Sequence, residues 1–214
     1  MASVKSYCDM YVIRHGQTDW NLQGYLQGHV DTPLNADGVK QAEKLKETLR
    51  GKVFSAVFSS DLVRASSTAK IVSEGLPIQE TPALRERTMG RWETHKRIDL
   101  AAFVKEKGSP YYKLPKEKLL AFKPDNDIDS FDEVYSRFAE FVKSSVISQN
   151  LGKTVLLSSH GGVLKSILYK IDFRQDLFWS VPNCAFLRLH AFEDGTIQLV
   201  DMRGPQTVED AILP

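Results

Sequence analysis

Three short runs of β-forming residues in this chain each end in side chains that could handle an oxyanion. Met10-Tyr11-Val12-Ile13 delivers Arg14-His15-Gly16. The run from Val53 to Ser59 delivers Ser60-Asp61-Leu62-Val63-Arg64. Thr154-Val155-Leu156-Leu157-Ser158-Ser159 delivers His160-Gly161-Gly162. Arginine presents a planar fork of donors that matches phosphate oxygens, and a helix N-terminus adds backbone N–H groups. An imidazole can act as a nucleophile toward phosphorus. Taken singly, a histidine is more often a structural hydrogen-bonding group, and an arginine in a first helical turn is usually a solvated charge. Ligands of open parallel sheets bind outside the carboxyl ends of the strands, so these groups would share one crevice. That convergence points to phosphoryl chemistry. No cluster at metal-ligand spacing accompanies them, which favours a phosphohistidine route over metal-assisted hydrolysis.

The elements that must position these groups are readable. Apolar, β-branched runs alternate with helical stretches, which predicts an α/β fold: a three-layer α/β/α sandwich around a mostly parallel central sheet. Val39, Ala42, Leu45 and Leu49 recur at spacings of three and four, placing them on one face of a helix between the first two strands. Asp61 is expected as an N-cap, with Arg64 in the first turn that follows. Ser130 and Glu133 form a capping box ahead of Phe131, Val134, Phe138, Phe141 and Val142. Ala185 to Phe192 and Thr196 to Met202 flank Glu193-Asp194-Gly195 as a hairpin. From Gly204 onward the periodic signal fades, as in a loose tail.

The 214 residues predict one domain, residues 1–214. Between about Thr88 and Asp129, Gly108-Ser109-Pro110, Pro115 and Pro124 break the pattern into short pieces, read as an insertion covering the active site. Its 28 Lys+Arg against 27 Asp+Glu leave a net charge of +1, without the basic excess expected of a nucleic-acid or membrane binder. No apolar run approaches bilayer length, and the first residues lack a signal-peptide core, so a cytoplasmic protein is expected. Cys8 and Cys184 form no CxxC or zinc-like spacing and are expected as free thiols.

Arg14-His15-Gly16-Gln17-Thr18, followed by Trp20-Asn21, resembles the signature of the histidine phosphatase superfamily in its phosphoglycerate-mutase-like branch. The resemblance continues through Gln27-Gly28, Asp31, Pro33-Leu34 and Gly38, then Ser59-Ser60-Asp61-Leu62, Arg64-Ala65 and Thr68-Ala69. Leu84-Arg85-Glu86, Gly90, Trp92-Glu93, Ser159-His160-Gly161-Gly162 and Pro182-Asn183 complete it in order. The resemblance implies that His15 becomes the phosphohistidine and that Arg14, Arg64 and His160 bind the transferred oxygens, with Asn21 and the Gly161 amide. It implies that Glu86 protonates the leaving alcohol and then activates water. Gln27, Gly28 and Arg97 fall at expected substrate contacts, with Lys96 beside Arg97. Thr94 stands where relatives usually carry a glycine, and the mutases' Arg-Arg pair and proline run are absent.

The reading is therefore a metal-independent phosphomonoesterase acting on a small phosphorylated substrate, with no cofactor and no metal site. Two alternatives remain open: a 2,3-bisphosphoglycerate-dependent phosphoglycerate mutase, and a catalytically silent relative that binds phosphorylated ligands or proteins. Neither the substrate nor the oligomeric state is legible.

Overall fold

A computed structural model of the chain describes residues 6–106, 114–171 and 178–208. Its main sheet has six strands. β1 (Tyr7–Arg14), β2 (Ala56–Ser60), β3 (Ile78–Thr81) and β4 (Thr154–Ser159) run parallel in the order β3-β2-β4-β1. A second, two-stranded sheet pairs β5 (Phe178–Ser180) antiparallel with β8 (Gln206–Val208). The hairpin β6 (Phe186–Phe192) and β7 (Ile197–Arg203) adds two antiparallel strands beside β1 in the main sheet. β1, β2 and β4 are largely buried on both faces, which is why they read as apolar runs, whereas the edge strand β3 exposes Gln79 and Glu80.

Alternation along β1 divides two cores. Tyr11 and Ile13 pack with Leu45, Leu49, Val57, Ala69 and Leu156 beneath α2 (Ala36–Thr48) and α3 (Val63–Val72). Met10 and Val12 face the other way, into a cluster with Phe138, Val142, Leu164 and Ile167. That layer is made by α4 (Arg97–Glu106), α5 (Lys116–Ala121), α6 (Phe131–Phe141) and α8 (Gly161–Ile171). Beyond α6 the helix runs on through a π-helical stretch, Val142–Ile147, into α7 (Ser148–Asn150). The capping box at Ser130 is present, each partner's side chain meeting the other's backbone N–H. Helices on both faces of a mostly parallel sheet make the expected three layers.

Four local expectations are corrected. Val39 is 41% exposed, because α2 buries only the Gly38, Ala42 and Leu45 side of that face. Asp61 is not the N-cap of α3: Leu62 holds that place, and the Asp61 carboxylate is taken by a bidentate pair with Arg85 at 2.6 and 2.7 Å. Val53 is 82% exposed and precedes β2 rather than opening it. Past Gly204, Gln206–Val208 form a strand, since their backbone pairs with β5. The 88–129 stretch forms a 3-10 turn at Gly90–Trp92 and then α4 and α5, with Leu100, Val104, Leu119 and Leu120 buried in the larger core. Both cysteines are free; Cys8 is buried and Cys184 half-buried.

Candidate active site

β1 ends at Arg14, and the N–H of His15 donates to Ser159 O beside it (3.0 Å). His15 is buried, and its Nδ1 lies 2.7 Å from the Gly16 carbonyl. A carbonyl accepts only, so the proton belongs on Nδ1 and Nε2 keeps its lone pair. Burial, then the guanidiniums of Arg64 and Arg14, hold this imidazole well below its ordinary pKa. The neutral, nucleophilic form therefore dominates at pH 7. His160 follows β4, fully buried, its ring centroid 5.1 Å from that of His15. Burial and Arg64 lower its pKa in the same direction. Neither of its ring nitrogens has a hydrogen-bond partner among the described residues.

The two arginines are anchored by carbonyls rather than carboxylates. Arg64 donates from Nη1 to Val30 O and from Nη2 to Gly28 O, both at 2.8 Å. Its burial is complete and lowers its pKa to about 10, which leaves it cationic at neutral pH. Arg14 donates from Nη1 to Val181 O. The Nε atoms of both are buried without a partner, and neither arginine is ion-paired among the described residues. A buried cation with no ion-pair partner, as at Arg64, is costly, and an oxyanion beside it lessens that cost.

Glu86 arrives by a 3-10 turn, Pro82–Leu84, at the end of β3. Its carboxylate accepts from Gly162 N (2.9 and 3.1 Å) and Arg87 N (2.9 Å). Its carbonyl accepts from His29 Nε2 (2.9 Å) and Arg137 Nη2 (3.3 Å). Ser159 Oγ donates to Leu84 O (2.8 Å), tying this segment to the strand that ends at His160. Glu86 is thus fixed at the N-terminus of α8, where the helix dipole and free amides also favour an anion.

The rim is built on loops. Thr18 caps α1 (Asp19–Gln23), and Asn21 Oδ1 accepts from Thr18 N and Asn183 Nδ2, both 3.2 Å. With its oxygen engaged, Asn21 has its amide N–H groups left to offer. Asn183 also donates to His15 O (3.0 Å), bracing the His15 backbone. Gln27 Oε1 accepts from Thr18 and Thr32, so its acceptor is used within the loop. Gly28 sits at φ +49° directly under Glu93, where a Cβ would overlap the carboxylate. Glu93 Oε1 accepts from His29 N and Met89 N (3.0 and 3.2 Å), which gives it a loop-bracing role. Thr94 keeps the left-handed backbone that a glycine would adopt freely, at φ +74°.

Arg14, His15, Asn21, Gln27, Gly28, Arg64, Glu86, Arg97 and Gly161 all line one cleft of about 190 Å³. His160 packs on His15, while Lys96 lies over the Tyr25 ring instead. Sequence reasoning assigned no role to His29, Arg137 or Asn183, which act through backbone carbonyls far away in sequence. It also missed Arg87 and Lys165, which line the cleft. The available signals were adjacency to Glu86 for Arg87, and for Lys165 its place one turn after Gly161 on the same face of α8. Among the described residues no group of three or more His, Cys, Asp or Glu could hold a metal ion.

A histidine held below its ordinary pKa, two arginines and a carboxylate on one cleft define a phosphoryl-transfer enzyme. The chain matches the model of the histidine phosphatase superfamily (branch 1) over residues 10–203 and belongs to that family. It is 32% identical over 165 residues to the adenosylcobalamin/alpha-ribazole phosphatase of Escherichia coli (strain K12), covering 76% of this chain and 78% of that protein. It is 32% identical over 174 residues to a metal-independent phosphoserine phosphatase of Arabidopsis thaliana, covering 76% and 68%. The crystal structure of phosphoglycerate mutase from Bacillus anthracis str. Sterne superposes with a TM-score of 0.78, over 92% of this chain and 93% of that one. At 24% identity this last likeness is one of fold.

Proposed function

We propose that this chain is a metal-independent phosphomonoesterase that passes the phosphoryl group of a small phosphorylated metabolite through His15 to water. The observation that carries the reading is the buried His15, its Nδ1 held by Gly16 O, in one cleft with Arg64 and Arg14, neither of which is ion-paired among the described residues. Nε2 attacks phosphorus as the ester P–O bond breaks, and Glu86 gives its proton to the leaving oxygen. Arg14, Arg64, His160, Asn21 and the Gly161 amide hold the equatorial oxygens, so that positioning and electrostatics supply most of the catalysis. In the second step Glu86 takes a proton from water, whose oxygen attacks phosphorus. The P–N bond breaks, and neutral His15 returns with inorganic phosphate. Relatives named as phosphatases, and the missing Arg-Arg pair, favour water over a second phosphoester as the acceptor. A silent binder would not need Glu86 fixed by two backbone amides.

The test is a rapid quench with labelled phosphoester in excess EDTA. An acid-labile, base-stable phosphoenzyme should form and should vanish in His15→Ala. Label on His160, or activity lost to chelator and restored by magnesium or zinc, overturns the assignment. With 3-phosphoglycerate and trace 2,3-bisphosphoglycerate, release of phosphate should exceed isomerisation; the reverse makes the protein a mutase.

A further inference from the structure

We propose that Thr68 is a positioning residue for His15: its buried hydroxyl pins Gly16, and Gly16 in turn keeps the His15 ring proton on Nδ1. The kinetic part of this inference rests on the phosphomonoesterase reading, in which Nε2 attacks phosphorus; the structural part does not. Thr68 stands one turn after Arg64 on α3 and is fully buried. Its Oγ1 donates to Arg64 O (2.7 Å) and accepts from Gly16 N (3.0 Å), 52 residues away. The direction of both bonds is forced, because a carbonyl only accepts and an amide N–H only donates. A threonine bonded to the carbonyl four residues back is common in helices and by itself says nothing. The second bond goes to the residue whose carbonyl meets His15 Nδ1 at 2.7 Å, and that gives this hydroxyl a role.

Gly16 is the joint on which that contact turns. Glycine has the widest backbone freedom of any residue, so its carbonyl stays aimed only while the flanking peptides are held. The peptide before it is held at both edges: Asn183 Nδ2 and Cys184 N donate to His15 O (3.0 and 3.3 Å), and Thr68 takes the N–H. The peptide after it is held by Gln17 N, which donates to Gln41 Oε1 (3.0 Å). Without the Thr68 hydroxyl a buried N–H loses its acceptor, and the peptide gains by turning toward another. The Gly16 carbonyl then swings off Nδ1, and which ring nitrogen carries the proton is no longer fixed. An Nε2 that carries the proton has no lone pair to attack with. Ser158 provides the contrast. Its buried hydroxyl donates to Ala65 O (2.8 Å), on the same turn of α3, rather than to Gly16.

Nitrogen NMR of protein with isotope-labelled histidines reads the tautomer directly, since protonated and unprotonated ring nitrogens resonate far apart; His15→Ala identifies the His15 pair. Wild type should show His15 protonated on Nδ1. Thr68→Val keeps the volume without the hydroxyl, and there Nδ1–H should give way to a mixture with Nε2–H. Its kcat should fall about 10²-fold while KM stays within about threefold. Thr68→Ser should restore the Nδ1–H form and most of kcat. Ser158→Ala should leave the tautomer as in wild type, whatever it costs in stability. Thr68→Cys, of similar size but a weak donor and acceptor, should give a smaller share of Nε2–H and carries the test if the valine variant does not fold. The inference is overturned by an Nε2–H wild type, or by an unchanged tautomer in Thr68→Val or, failing its folding, in Thr68→Cys. It is also overturned by an equal change in Ser158→Ala, or by a serine variant no better than the valine one. The expected tautomer changes in a protein that hydrolyses no ester overturn the phosphatase reading instead.

Discussion

Glu86 is aimed by backbone on every side: amides of Gly162 and Arg87 hold its carboxylate, and His29 and Arg137 hold its carbonyl. A glutamine can keep one of those acceptor contacts but has no proton to release. Glu86→Gln should lower the hydrolysis of alkyl phosphates by about 10²–10⁴-fold. It should slow p-nitrophenyl phosphate far less, because that leaving group departs without protonation. Stopped-flow assays on both substrates decide this, and equal losses would make Glu86 structural. Thr94 makes a different point at the same scale. A β-branched residue at φ +74° is strained by about 1–2 kcal/mol. Glycine relieves that strain but gives back roughly 0.5–1 kcal/mol through the unfolded chain. Thr94→Gly should therefore raise Tm by about 1–3 °C by calorimetry; a lower Tm would show that the threonine side chain contributes more than its backbone costs.

Among the elements, the contact that braces the His15 loop is between β1's exit and the first turn of α2. Gly16 and Gly38 face each other there: a Cβ on Gly16 would overlap Gly38 O, and a Cβ on Gly38 would overlap Gln17 O. Asn35 caps α2 by accepting from Gly38 N (2.8 Å), and Asn35 N donates to Gln17 O (3.0 Å). The obstacle to a side chain here is backbone on both sides, which cannot rotate away. Gly38→Ala should cost about 1–3 kcal/mol in urea unfolding. It should also lower kcat by more than the folded fraction explains, since Gln17 is two residues from His15. A variant with unchanged kcat and stability would show that α2 shifts freely against the loop.

The whole molecule encloses two neutral histidines beside two cations, and this sets its response to acid. His15 and His160 have native pKa values well below 6.5, whereas the unfolded chain protonates near 6.5. Below that pH the unfolded state binds more protons than the native state, so stability falls as pH falls; above it these two groups contribute no slope. Between pH 7 and 5.5 the pair should cost about 2 kcal/mol in urea unfolding. His160→Gln should remove about half of that loss. A wild-type stability flat down to pH 5.5, or an unchanged slope in His160→Gln, would contradict the neutral assignment. The same burial that lowers the His15 pKa should make the native state acid-sensitive.

Local pattern was enough to read what depends on neighbours in sequence. The buried strands announced themselves as apolar runs, the Ser130 capping box needs only four residues, and Arg14 ends β1, His160 follows β4 and Arg64 stands in the first turn after β2, where an open sheet binds its ligands. Glu86 came from resemblance alone, because nothing about a lone carboxylate after a short strand marks it. What the sequence could not decide involves groups far apart along the chain. Asp61 has the right residue type for a cap, but Arg85, 24 residues on, takes its carboxylate. Gln206–Val208 lack periodicity, but their backbone finds β5. His29, Arg137 and Asn183 matter through the carbonyls they reach, and a carbonyl is the same at every position. Lys165 reads as an ordinary solvated helical charge until packing brings it beside Arg14, Glu86 and Arg97. Residue type and spacing determine which groups can do chemistry; only the tertiary structure determines which of them lose their water together, and it is that shared desolvation that shifts their proton affinities and leaves their charges to be met by a ligand.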